Sequence, residues 1–230
     1  MNGEQLLQQY ASGERNFSGI NLTGAALYRA NLQKVVLQES SLLGANLSGA
    51  DLEGADLRHA TLIGVNLNAV NLIDADLRNA DLIGANLGGS KLSHANLTNA
   101  TLNGANLAGA NLSGADLSNV ALRGANLAGT ILTATLVKAD LSGASLSRSN
   151  LAEADLQEAN LELTNLAGSN LHKANLAGCN LTGSNLWGSN LEGANLSGAN
   201  LSGANLEKDS VAGANLQGAI MPDGNVYSGS

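Results

Sequence analysis

The chain has 230 residues, with 19 acidic and 11 basic side chains and a net charge of −8. Hydrophobic residues make up 44% of it but aromatic ones only 2%, which excludes a mixed globular core filled by large rings. Charged residues at 13% exclude a disordered polyelectrolyte, and the negative balance disfavours nonspecific attachment to phosphate backbones or anionic lipid.

Residues 1–16 read as an N-terminal cap. Glu4–Ala11 has the pattern of a short amphipathic helix that turns Leu6, Leu7 and Tyr10 toward whatever follows, and Gly13 is a suitable stop. Met1–Tyr10 lacks the basic and apolar regions of a signal peptide. No apolar run approaches the ~18 residues of a membrane span. The expectation is a cytoplasmic protein with no membrane partner. The single cysteine, Cys179, can form no disulfide within the chain.

Residues 17–133 form a first repeat run. Phe17 and then Leu22 to Leu132 recur every five residues. The slot two before each leucine is small, mostly Ala. The slot just before it is mostly Asn or Asp, and the second slot after it is most often Gly. On an α-helix a five-residue step advances ~500°, so successive leucines would form no stripe. On a continuous strand the odd spacing would flip each leucine to the opposite face. The chain must therefore run extended for a few residues, turn, and repeat, with Leu and the small residue inside. Gly in the turn suits a backbone with positive φ. Leu42-Leu43-Gly44-Ala45-Asn46 returns as Leu62-Ile63-Gly64-Val65-Asn66 and as Leu82-Ile83-Gly84-Ala85-Asn86. The motif comes back at every fourth unit, which puts four units in one coil and predicts a square cross-section.

Leu132 to Leu136 is a step of four. Either a corner tightens there and the stack continues, or two rods meet at a kink or hinge. Residues 134–221 form the second run in the shifted register, read with the first as one solenoid. Asp209 falls in an inward slot of this run, and a local bulge that turns it outward is expected, since a buried unpaired carboxylate is costly. From Pro222 to Ser230 the pattern is lost. Proline has no N–H to continue a ladder, so 222–230 reads as a tail.

Tandem A(N/D)LxG units such as Ala105-Asn106-Leu107-Ala108-Gly109 resemble the pentapeptide repeat family over about nine tenths of the chain. The resemblance implies an all-β fold, a right-handed quadrilateral β-helix, here with the short capping helix in front. Both ends, Leu6 to Phe17 and Gly218 to Gly224, are similar to heterocyst-regulating cyanobacterial members. The family also implies one alternative to a plain scaffold, a DNA-mimicking inhibitor or protector of gyrase. Mimicry needs unbalanced carboxylate rows, whereas Asp56 and Asp76 share a face with Arg58 and Arg78.

No catalytic, metal-binding or cofactor-binding set emerges. His59, His94 and His172 occupy outward slots on different coils, and none has a nucleophile beside it. His94, one coil from Asp74, reads as a possible surface contact. Cys179 takes a small inward slot. Asn46, Asn66, Asn86, Asn106 and Asn126 should stack as a ladder that holds register. An ice-binding surface would need Thr-x-Thr rows, and Ser41, Thr61 and Asp81 do not supply them. The expectation is a non-catalytic scaffold that binds a protein partner, not nucleic acid, as a monomer or weak homo-oligomer. The candidate contact residues are Leu43, Ile63 and Ile83, an outward apolar ladder beside Gly44, Gly64 and Gly84, with isolated Trp187 a second candidate.

Overall fold

The computed structural model describes residues 1–228, and of Lys208 and Asp209 the backbone only. Its repeating event is one parallel β-bridge in every unit, made by the residue just before each leucine. Asn46 bridges Asn66 and Asp51 bridges Asn71, each partner lying four units further along the chain. Four such bridges complete a coil, and the coils stack as a β-helical solenoid. The four faces are numbered here by their first core residue: face one from Phe17, face two from Leu22, face three from Leu27 and face four from Leu32.

Each unit closes on itself through one turn. The N–H three residues after a leucine donates to the leucine carbonyl, as Ala85 N to Leu82 O at 3.0 Å. The second turn residue has positive φ, 63° at Gly84 and 56° at Leu163, which is the signature of a type II turn. Asn or Asp precedes the leucine because its oxygen accepts the next free N–H: Asn106 Oδ1 takes that of Ala108 at 3.2 Å. The leucines and small residues fill the interior, and Leu22 through Leu201 in these slots are buried. Some inward serines place their hydroxyls on the leucine carbonyl, as Ser90 does on Leu87 O at 2.6 Å, whereas the buried hydroxyls of Ser169 and Ser184 have no partner among the described residues.

At the N-terminal end, helix α1 (Gly3–Ala11) closes the first coil. A capping box starts it: Asn2 Oδ1 accepts from Gln5 N and Gln5 Oε1 accepts from Asn2 N, both at 2.9 Å. Leu6 is fully buried, Leu7 and Tyr10 are partly so, and Tyr10 donates its hydroxyl to Gln33 O at 2.8 Å. Gly3 is needed at the contact, since a Cβ there would sit 3.0 Å from Ala26 O.

The bridges run on through the short step. Asn111 still bridges Ile131 at the full four-unit separation. Asp116, Ala121, Asn126 and Ile131 then pair with Thr135, Asp140, Ser145 and Asn150, each one residue short of it, and Thr135 restores the full separation with Asp155. The residue lost is the one that would have had positive φ. No turn bond from Ala134 N to Leu132 O forms, and Thr133, Ala134, Ala152 and Glu153 line a notch at that corner. Near the C-terminus, a one-turn 3-10 helix (Lys208–Val211) interrupts the repeat. The orientation of the Asp209 side chain lies outside the described residues. The ladder reaches Pro222, whose carbonyl accepts from Gly203 N at 3.0 Å. The chain then reverses, Val226 pairing antiparallel with Ile220 and Tyr227 N donating to Ala219 O at 2.7 Å. The tail is thus a fold-back over the last coil as far as residue 228.

Candidate functional site

Leu43, Ile63 and Ile83 come together on face two in consecutive coils. Gly24, Gly44 and Gly64 donate their N–H groups to the carbonyls of Leu43, Ile63 and Ile83 at 2.9, 3.0 and 2.9 Å, which fixes the three side chains in one row. Leu43 and Ile83 are exposed, and Ile63 between them is partly buried by its neighbours. The row is therefore continuous, with its centre shielded at the sides. Gly44, Gly64 and Gly84 form the edge next to it, with nothing within 4 Å of where a Cβ would stand.

Trp187 is not part of that patch. It lies on face three, five coils beyond Ile83, or ~24 Å at one strand spacing per coil. It is 59% exposed. With Arg148, Ala167 and Gly168 it lines a shallow groove that extends to Ala128 and Gly129. Sequence reasoning missed Tyr28, also 59% exposed and in the same row of face three, with the Arg29 guanidinium 5.4 Å from its ring centre. It also missed Leu163, 67% exposed at the edge between faces two and three. The signal for both was available: each breaks the small-residue habit of its column.

Face one carries the acidic column. Asp56 is held by Arg58 at 2.6 Å, Asp76 by Arg78 at 2.6 Å, and Arg58 also reaches Asp76 at 3.6 Å. The hydrogen bond from Arg58 holds the Asp56 carboxyl below its ordinary range, with backbone hydrogen bonding and nearby charge adding to it against partial burial. On face two Arg123 pairs with Asp140. Lys138 reaches Glu158 at 3.6 Å.

Of the remaining chemistry-bearing side chains, His172 Nδ1 comes within 3.8 Å of Glu192. His94 does not meet Asp74: its ring lies over Gly114 in the next coil, so close that a Cβ there would be 2.6 Å from Nδ1. Side chains in this slot lean toward the following coil, which carries His94 away from Asp74. Cys179 is buried with its Sγ 2.8 Å from Leu156 O, and burial pushes its thiol up to about 12. Among the described residues, no group of three or more His, Cys, Asp or Glu could hold a metal ion. The asparagine ladder is hydrogen-bonded only in part: Asn106 donates to Asn86 at 3.0 Å and Asn126 to Asn106 at 3.2 Å. Asn46 instead accepts from the Ser48 hydroxyl at 2.8 Å. No helix is long and apolar enough to cross a membrane among the described residues.

The family model described as pentapeptide repeats matches this chain in eight copies between residues 16 and 208. The crystal structure of HetL, a pentapeptide repeat protein involved in heterocyst differentiation regulation in the cyanobacterium Nostoc sp. strain PCC 7120, is similar at 36% identity. It aligns with a TM-score of 0.73 over 99% of this chain and 100% of that one. Rfr23 of the cyanobacterium Cyanothece 51142 is 44% identical over 41% of this chain and 58% of its own, with a TM-score of 0.27. QnrB1, a plasmid-mediated fluoroquinolone resistance protein, is 18% identical over 90% of both chains, with a TM-score of 0.38. The last two likenesses are too weak in superposition to carry an argument. No curated protein sequence matches the chain.

Proposed function

Because the chain belongs to the pentapeptide repeat family, we propose that it acts as a rigid, non-catalytic protein-interaction scaffold with a regulatory role in a cyanobacterial cell. The register of four bridges per coil supports a quadrilateral β-helix as the frame, and membership of the family implies that it is right-handed. The frame fixes outward side chains at ~4.8 Å steps along each column, and a partner reads one surface of it. The regulatory part rests on likeness to HetL. The proposal includes a cytoplasmic location and a monomeric or weakly self-associating rod.

One observation carries the reading: an apolar row, Leu43, Ile63 and Ile83, is kept outward beside a bare glycine edge. Cross-strand packing of such side chains contributes ~0.2–1 kcal/mol per pair and is the competing, purely structural account of the row. Trp187 is the second contact. Ile63→Lys should leave the melting temperature near that of wild type while abolishing capture of a specific protein from cyanobacterial extract. Capture that survives the substitution would reduce the row to a structural role. The alternative, a DNA mimic acting on gyrase, would present unpaired carboxylate rows, whereas Asp56 and Asp76 are bound to Arg58 and Arg78. Potent inhibition in a supercoiling assay would favour that alternative over the scaffold.

A further inference from the structure

The carboxylates are distributed unevenly around the solenoid. An even share of 19 acidic residues over four faces would be about five per face. Face three and its two edges carry none from Gly24 to Gly188, and the first to appear there is Glu207. The only charges on that stretch are Arg29 and Arg148. Neither is in an ion pair among the described residues, whereas Arg58, Arg78 and Arg123 on faces one and two are. Lys34, Lys91 and Lys173 of face four are likewise unpaired among those residues, but acids share that face with them. Each of the two free arginines stands near an exposed aromatic ring. Arg29 is over Tyr28, and Arg148 shares its groove with Trp187. Between these two posts the surface is Asn, Ser, Ala and Gly, with Gly88 itself buried between Asn68 and Asn106.

On a molecule with a net charge of −8, three faces repel an acidic partner and this one does not. Arginine forks bind carboxylates through paired hydrogen bonds, and Trp, Tyr and Arg are the residues that concentrate binding energy at interfaces. A second copy laid on this face is a poor occupant. Eight coils from Tyr28 to Trp187 span ~38 Å, and a strip ~10 Å wide offers roughly 400 Å², about half of what each partner gives to a stable dimer. Two such faces would also bring four arginines together with no acid between them. An extended chain fits better, because the six coils from Arg29 to Arg148, ~29 Å, match about nine residues of extended polypeptide. We propose that face three docks an extended acidic segment of a partner protein, its carboxylates on Arg29 and Arg148 and its apolar side chains against Tyr28 and Trp187. This deepens the scaffold reading and rests on it, but uses a different surface from the apolar row on face two.

Trp187 is the chain's only tryptophan, so intrinsic fluorescence reports one end of the face alone. The probe is a short oligoglutamate peptide long enough to join the two arginines, compared with oligolysine and with single-stranded oligothymidine of the same length. Oligoglutamate should shift Trp187 emission and perturb the side-chain amides of Asn86 and Asn106 in NMR spectra, with both effects weakening as NaCl is raised. Arg148→Glu should weaken binding at least about ten-fold and Arg29→Glu several-fold. Ser113→Ala, on face four, should leave it unchanged. The capture assay with Ile63→Lys tests the apolar row separately, so loss of that reading and loss of this one can be told apart. No response to oligoglutamate, equal binding by Arg148→Glu, or an equal response to oligolysine would overturn the proposal. Binding of oligothymidine as tight as that of oligoglutamate would also overturn it, in favour of a nucleic-acid site.

Discussion

Faces one and three stand on the same core and present opposite surfaces. Beneath each runs a column of buried leucines, Leu97 and Leu117 under face one and Leu107 and Leu127 under face three. Above them, face one displays aspartates tied to arginines, and face three displays asparagine and small residues with an unpaired arginine near each end. The difference shows that the inward slots build the frame and the outward slots are free to differ. Surface chemistry can therefore be set one column at a time without disturbing the fold.

The largest expected effect comes from the part the two faces share. Leu107→Asp and Leu117→Asp should each unfold the solenoid or destabilise it by more than about 4 kcal/mol, because a carboxylate would be buried without a partner. The outward Ser113→Asp should shift the melting temperature little. If a core variant melted like Ser113→Asp in calorimetry, the inward and outward assignment would be wrong.

A smaller effect separates the faces by pH. Asp56 titrates below its ordinary range in the folded state because Arg58 hydrogen-bonds it, with backbone hydrogen bonding adding to this. A depressed folded value means the contribution is present above the unfolded carboxylate value and is lost as pH falls through the folded one. Arg58→Ala should move the Asp56 titration up toward the ordinary value in a carboxyl NMR titration. The stability change at neutral pH should stay within ~1 kcal/mol, since the pair is largely solvated. Face three has no carboxylate in this stretch, so the Asn106 amide signals should not move over the same pH range until the chain unfolds. A titration at Asn106 matching that of Asp56 would collapse the contrast.

A third effect lies at the edge between faces two and three. Leu163 holds φ at 56° in a column otherwise occupied by glycine from Gly24 to Gly203, a conformation that costs a side chain ~1–2 kcal/mol. Leu163→Gly should raise the melting temperature by ~2–4 °C per kcal/mol recovered. A lower melting temperature would show that the contact of Leu163 with Gly183 outweighs the strain.

The frame was legible in the sequence because one spacing rule governs it. A leucine every five residues and motifs returning at every fourth unit dictate turn, coil and core, and an amphipathic pattern dictates α1. The apolar row was legible because Leu43, Ile63 and Ile83 carry the same neighbours each time. The contrast between faces was harder to see. Tyr28, Arg148 and Trp187 share a surface only after positions are placed on columns, and the lost residue between Leu132 and Leu136 shifts each later column by one place in the sequence. The lean of His94 toward Gly114 depends on side-chain direction at a positive-φ corner, which no residue pattern announces.

The constant four-unit coil also limits how such a chain can lengthen over evolutionary time. Inserting a whole coil leaves every later residue on its own face. Inserting a single unit keeps the hydrophobic pattern and the fold, yet carries everything downstream around by one face. Trp187 and Arg148 would move from face three to face four, away from Tyr28 and Arg29. Folding is indifferent to that step and surface identity is not, so a lineage that depends on a face should gain or lose coils as wholes. The single short coil shortens the chain by one residue without changing which face any later unit occupies.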